Sequence, residues 1–118
     1  MKKIGFVTTN KVMAQSLAAT VRNNLGLGIE LFLLLNPKQA ALDAEVLQLD
    51  AAVVDVSDAA LEGSYDMLRQ TVPGCRLLLL VPKTGHGLAI KAMKTQAADD
   101  FVFYDTSLEY LFAKLAAI

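Results

Sequence analysis

Asp50-Ala51-Ala52-Val53-Val54-Asp55-Val56 is apolar at every position between its two carboxyl-bearing residues. A strand with one wet face alternates apolar with polar residues, whereas an unbroken apolar run suits a parallel strand covered on both faces. Leu77 to Val81 has the same character, and so has Leu31 to Leu35. Working outward, the pattern predicts five strands: Ile4–Val7, Ile29–Leu35, Ala51–Val56, Arg76–Val81 and Phe101–Tyr104.

The segments between and after them repeat their apolar residues with a period near 3.6. Met13, Leu17 and Val21 mark a first helix; Leu42, Val46 and Leu49 a second; Tyr65, Leu68 and Val72 a third. Ile90, Met93 and Ala97 mark a fourth, and Leu108, Leu111, Phe112 and Leu115 a fifth. Met13, Met67 and Met93 are read as core. Asn36-Pro37 suits an N-cap followed by a first-turn proline, Pro73-Gly74 a turn, and Thr106 with Glu109 a capping box. Strand and helix thus alternate five times. Right-handed crossovers give a flavodoxin-like, doubly wound five-stranded parallel sheet in the order 2-1-3-4-5, with helices on both faces.

The chain has 118 residues, enough for a single domain spanning 1–118. Apolar residues are 54% and charged ones 19%, which excludes disorder. Eleven Lys and Arg against twelve Asp and Glu leave a formal charge of −1, which argues against direct nucleic-acid binding through bulk electrostatics. One cysteine, Cys75, excludes an intrachain disulfide and, with one histidine, a Cys/His zinc cluster. The longest apolar runs are five residues, too short for a membrane span. The N-terminus lacks the apolar core of a signal peptide. A cytoplasmic domain without membrane contact is the expectation.

In a sheet of this order, ligands bind beyond the carboxyl ends of the strands, where the strand order reverses. Thr8, Thr9 and Asn10, Asp55 to Asp58, Val81 to Thr84, and Tyr104 with Asp105 fall there.

At these residues the sequence resembles the receiver domains of bacterial two-component response regulators, the CheY-like family. Asp50 to Asp55 matches the third strand, which in the family ends in the phosphorylated aspartate, and Gly63 follows at the family's usual distance. Ala89 to Lys94 is similar to the fourth helix. Asp100-Phe101-Val102 and Leu108 to Leu111 are similar to the fifth strand and helix, with one extra residue between Lys94 and Asp100. The resemblance implies that Asp55 occupies the phosphoacceptor position and Phe101 the aromatic switch position. It also marks departures. Thr8 and Thr9 replace the acidic pair that holds Mg²⁺, Val81 replaces the switch hydroxyl, and Tyr104 replaces the lysine ending the fifth strand.

Phosphoryl transfer to a carboxylate brings two anions together, and a metal and a cation normally offset that repulsion. Mg²⁺ favours octahedral oxygen ligands that include carboxylates. Asp55 with two hydroxyls is a poor set, so no cofactor and no metal is expected. Lys83 and Thr84 are the nearby substitutes for the missing lysine and hydroxyl, and Asp58 is a further carboxyl whose spacing does not match the missing pair. The expectation is a degenerate receiver, a pseudo-receiver, that signals by protein contact. The partner is another protein or a second copy, met through the face of the fourth helix, fifth strand and fifth helix: Lys91, Lys94, Phe103, Tyr104 and Tyr110. The family often places such a domain ahead of an output domain in a longer regulator.

Two alternatives stay open at this point. One is a phosphorelay receiver with Asp55 as acceptor; the other is a flavodoxin-like small-ligand binder, weakened because no glycine-containing phosphate loop follows the first strand. No nucleophile–base set points to an enzyme. His86, between Gly85 and Gly87, reads as a solvated loop residue, and Cys75 as a packing residue.

Overall fold

Five strands, β1 (Lys2–Val7), β2 (Ile29–Leu34), β3 (Ala51–Asp55), β4 (Arg76–Val81) and β5 (Asp100–Phe103), form one parallel sheet ordered β2-β1-β3-β4-β5. The helices are α1 (Lys11–Arg22), α2 (Ala40–Leu47), α3 (Ser64–Thr71), α4 (His86–Lys94) and α5 (Leu108–Ala117). This computed structural model describes residues 2–23, 28–56, 64–82, 86–94, 98–103 and 108–117. The architecture is the α/β, doubly wound one that the apolar strands imply.

Alternation along the strands sorts the core into two layers. Ile4, Phe6, Val53, Leu78, Leu80 and Val102 point to one face, where Leu17 and Val21 of α1 and Leu111 and Leu115 of α5 cover them. Val7, Val54, Leu77, Leu79 and Val81 point to the other, under Ala40, Ala41 and Ala44 of α2 and Tyr65 and Leu68 of α3. Gly5 permits a close approach: a Cβ there would lie 2.6 Å from Leu49 Cδ1.

The helix faces depart from the sequence pattern in three places. The second helix buries its alanines, while Leu42 and Val46, expected in the core, are 52% and 72% exposed. Alanine lets the helix lie close to the sheet, so the larger side chains of Leu42 and Val46 are turned outward. Met67 and Met93 are exposed rather than core, Ile90 is also exposed, and Met13 is partly buried. Asn36-Pro37 does not cap α2. The Asn36 side chain accepts from the Lys38 N–H at 3.2 Å and its carbonyl from Gln39 N–H at 3.0 Å, forming a turn that ends where the helix starts.

Smaller differences lie at element ends. Leu35 and Val56 fall just outside β2 and β3, and β5 starts one residue earlier than expected. His86 and Gly87 belong to the first turn of α4 rather than to a loop. Gly63, Ala97, Tyr104 and Thr106 lie outside the described residues, so the capping box and the expected end of the fifth strand do too. Pro73 and Gly74 form the expected turn, closed by Cys75 N–H donating to the Val72 carbonyl at 2.9 Å.

Candidate functional site

β1 and β3 run side by side with Phe6 opposite Val53 and Val7 opposite Val54. One further step along each strand brings Thr8 beside Asp55, both pointing to the face that α1 covers. The Thr8 hydroxyl donates to Asp55 Oδ2 at 2.8 Å. The same Thr8 oxygen accepts from the Asn10 N–H at 3.0 Å, and the Thr8 N–H donates to the Leu34 carbonyl at 3.2 Å. Asn10 caps α1, its side chain accepting from the Met13 N–H at 3.0 Å. Helix α1 is thus tied at its first turn to the ends of β1 and β3. Thr8 is 0% and Asp55 1% exposed, so solvent reaches neither side chain in this conformation. Thr9, one residue on, is exposed.

Val81 and Phe101, expected from the resemblance at the switch positions, lie on the opposite face of the sheet. Val81 is fully buried in the cluster of Val7, Val54, Val56 and Leu79, and it offers methyl groups where a hydroxyl was the point of interest. Phe101 and Phe103 are half-buried against the same cluster, their rings edge to face with centroids 5.3 Å apart. In register, Leu79 faces Phe101 and Val81 faces Phe103. The site therefore brings together Thr8 with Asp55 on one side, and Val81 with Phe101 and Phe103 on the other.

No protein-family model matches the chain, and a search of curated proteins returns no match. Solved structures do match over almost the whole length. A two-component response regulator from Clostridium difficile superposes with a TM-score of 0.82 at 18% identity, covering 99% of this chain and 94% of that one. The chemotaxis protein CheY4 of Vibrio cholerae gives 0.83 at 17% identity, covering 100% and 98%. The response regulator TrrA of Thermotoga maritima, in complex with Mg²⁺-BeF, gives 0.79 at 17% identity, covering 99% and 98%.

The fold is that of a response-regulator receiver domain. In this receiver fold Asp55 ends β3 as the sequence pattern places it, and Thr8 rather than a carboxyl group meets it. Tyr104, Lys83, Thr84, Asp58 and Asp105 lie outside the described residues. On the face expected to meet partners, Lys91, Lys94 and Tyr110 are exposed, whereas Phe103 is half-buried. Lys114 Nζ sits 5.4 Å from the Tyr110 ring centroid and pairs with Asp100. That Asp100 hydrogen bond holds the Lys114 ammonium above its ordinary pKa.

A second polar cluster, which the sequence did not single out, lies at the opposite end of the sheet. Asp99 accepts from the Leu77 N–H at 2.9 Å and from Arg69 at 3.0 Å. An open cavity of about 190 Å³ beside it is lined by Arg76, Asp99, Asp100 and Lys114, among others. The only sequence signal for it is the Asp99-Asp100 pair. Cys75 is buried nearby, and burial pushes its thiol up to about 11, so it packs rather than reacts.

Proposed function

We propose that this domain is a receiver-type signalling module that acts by contact with other proteins, without Mg²⁺-dependent phosphorylation of Asp55 and without an activity of its own. The observation that carries this reading is the buried hydrogen bond from Thr8 to Asp55. It fills with a neutral hydroxyl the place where a metal site needs negative oxygen. Asp55, Thr8 and Thr9 together supply one carboxylate, the least that protein-bound Mg²⁺ takes, and one of its oxygens already accepts from Thr8. These residues do not fit the ion.

A receiver that responds to phosphorylation shifts between two states through contacts made to the new phosphoryl group. The Val81 side chain has no hydrogen to donate to such a group, so modification of Asp55 lacks the side-chain route through this position to Phe101. Control then comes from binding. The exposed Lys91, Lys94 and Tyr110 suit a protein partner, and aromatic residues commonly anchor such contacts. A cytoplasmic location fits this role; among the described residues no helix is long and apolar enough to cross a membrane.

Intact-mass spectrometry after incubation with acetyl phosphate, with and without Mg²⁺, tests the reading. The expected result is no adduct in either case on protein whose circular dichroism shows it folded. A Mg²⁺-dependent gain of one phosphoryl group that Asp55→Asn abolishes would restore the phosphorelay reading.

A further inference from the structure

The second helix is built the wrong way round for a helix that faces water. Its sequence, Ala40-Ala41-Leu42-Asp43-Ala44-Glu45-Val46-Leu47, is apolar on nearly every side. The alanines take the buried positions, and the two large aliphatics Leu42 and Val46, one turn apart, face outward. A helix apolar all round is normally covered all round. The fourth helix shows the same trait on the far side of α3: Ile90 and Met93, three residues apart, are both exposed. The charges that accompany the two pairs are opposite. Asp43 and Glu45 lie on α2, Asp43 half-buried and Glu45 exposed; Lys91 and Lys94 lie exposed on α4.

We infer that the α2 face of one molecule docks on the α4 face of a second copy, head to tail. Charge decides the geometry. Pairing α2 with α2 about a two-fold axis sets acid against acid, and pairing α4 with α4 sets base against base. Pairing α2 with α4 buries Leu42 and Val46 against Ile90 and Met93 and sets Glu45 against Lys94. Right-handed crossovers place α2, α3 and α4 on one side of the sheet, with α3 in the middle. The two docking faces are therefore on opposite flanks and are engaged at once without overlap. Engaged one per neighbour, the two faces make a heterologous contact, which closes into a ring or continues as a filament; a two-fold axis over α3, pairing each α2 with the other copy's α4, is the arrangement that would stop at two. This inference stands whether or not Asp55 is ever modified.

Sedimentation equilibrium of the whole chain over a concentration series, at low and high salt, is the test, with charge reversals on exposed positions. The expected result is a weight-average mass that rises past twice the monomer mass and falls as salt is added. Glu45→Lys and Lys94→Glu should each weaken association by at least about tenfold, through like charges set together. The double variant should recover it. At dilutions where the parent is monomeric, both single variants keep its thermal midpoint, because neither residue is buried.

A mass that stays at one monomer throughout would overturn the inference and leave the contact-driven reading of the domain intact. A mass that stops at a dimer would overturn the head-to-tail arrangement in favour of a two-fold contact, and one that also ignores Glu45→Lys would overturn the pairing of α2 with α4. Single-variant losses that the double variant fails to recover would overturn the pairing of these two faces.

Discussion

Replacing Thr8 with valine keeps the shape of the side chain and removes both hydrogen bonds made by its oxygen, the one to Asp55 and the one from the Asn10 N–H. A buried polar group that loses a partner costs about 1–3 kcal/mol. Thr8→Val should therefore lower the free energy of urea unfolding by that amount, and unchanged stability would show that the bond supports nothing. Asp55→Asn should cost less, because an amide oxygen still accepts from Thr8. The contrast is informative about function as well. In a working metal site the residue beside the acceptor aspartate repels it and destabilises the fold, whereas here it holds the aspartate in place.

At the scale of elements, Asp99 ties α3 to the start of β4 through Arg69 and the Leu77 N–H. Burial pushes its carboxyl up, but those two donors outweigh burial and leave its pKa below the ordinary carboxylate value. The folded protein then binds that proton more weakly than the unfolded chain does. The stabilisation is present above the unfolded pKa and is lost as pH falls through the folded one. Asp99→Asn should lower the thermal midpoint at neutral pH, with the gap to the parent narrowing below about pH 4. A gap independent of pH would assign the loss to packing.

The elements also show what the sequence could and could not convey. Strands β3 and β4 are legible because an apolar residue on both faces has one explanation, burial between two helix layers. The stripe of α1 is legible because polar residues fill its other side. Helices α2 and α4 carry apolar residues on more than one side, so periodicity alone could not say whether Ala44 or Val46 faced the sheet. Small size decided it, through a close approach that only neighbouring elements reveal. At the site, Asp55 was legible from its strand, and Thr8 as its neighbour from the departure at the acidic pair. The cluster around Asp99 was not, since its partners Arg69 and Leu77 come from two other elements.

The whole molecule is two apolar layers separated by one sheet. Leu68 fills one and Leu115 the other, both fully buried. Leu68→Val and Leu115→Val should each cost about 1–2 kcal/mol, and together should add to within about 0.5 kcal/mol, because the sheet keeps the two sites apart. Urea unfolding should stay a single transition in all three variants. A larger deviation would show that the sheet transmits strain between its faces. The unequal way the layers are closed has a consequence for synthesis. The α2 and α3 side chains that cover Val7, Val54 and Leu79 precede or closely follow those strands, so this layer closes as the chain is made. The other layer stays open over Leu78, Leu80 and Val102 until Leu111 and Leu115 of α5 arrive. A ribosome-bound chain that ends before Leu115 exposes an oily sheet face to chaperones and to its neighbours on the same message.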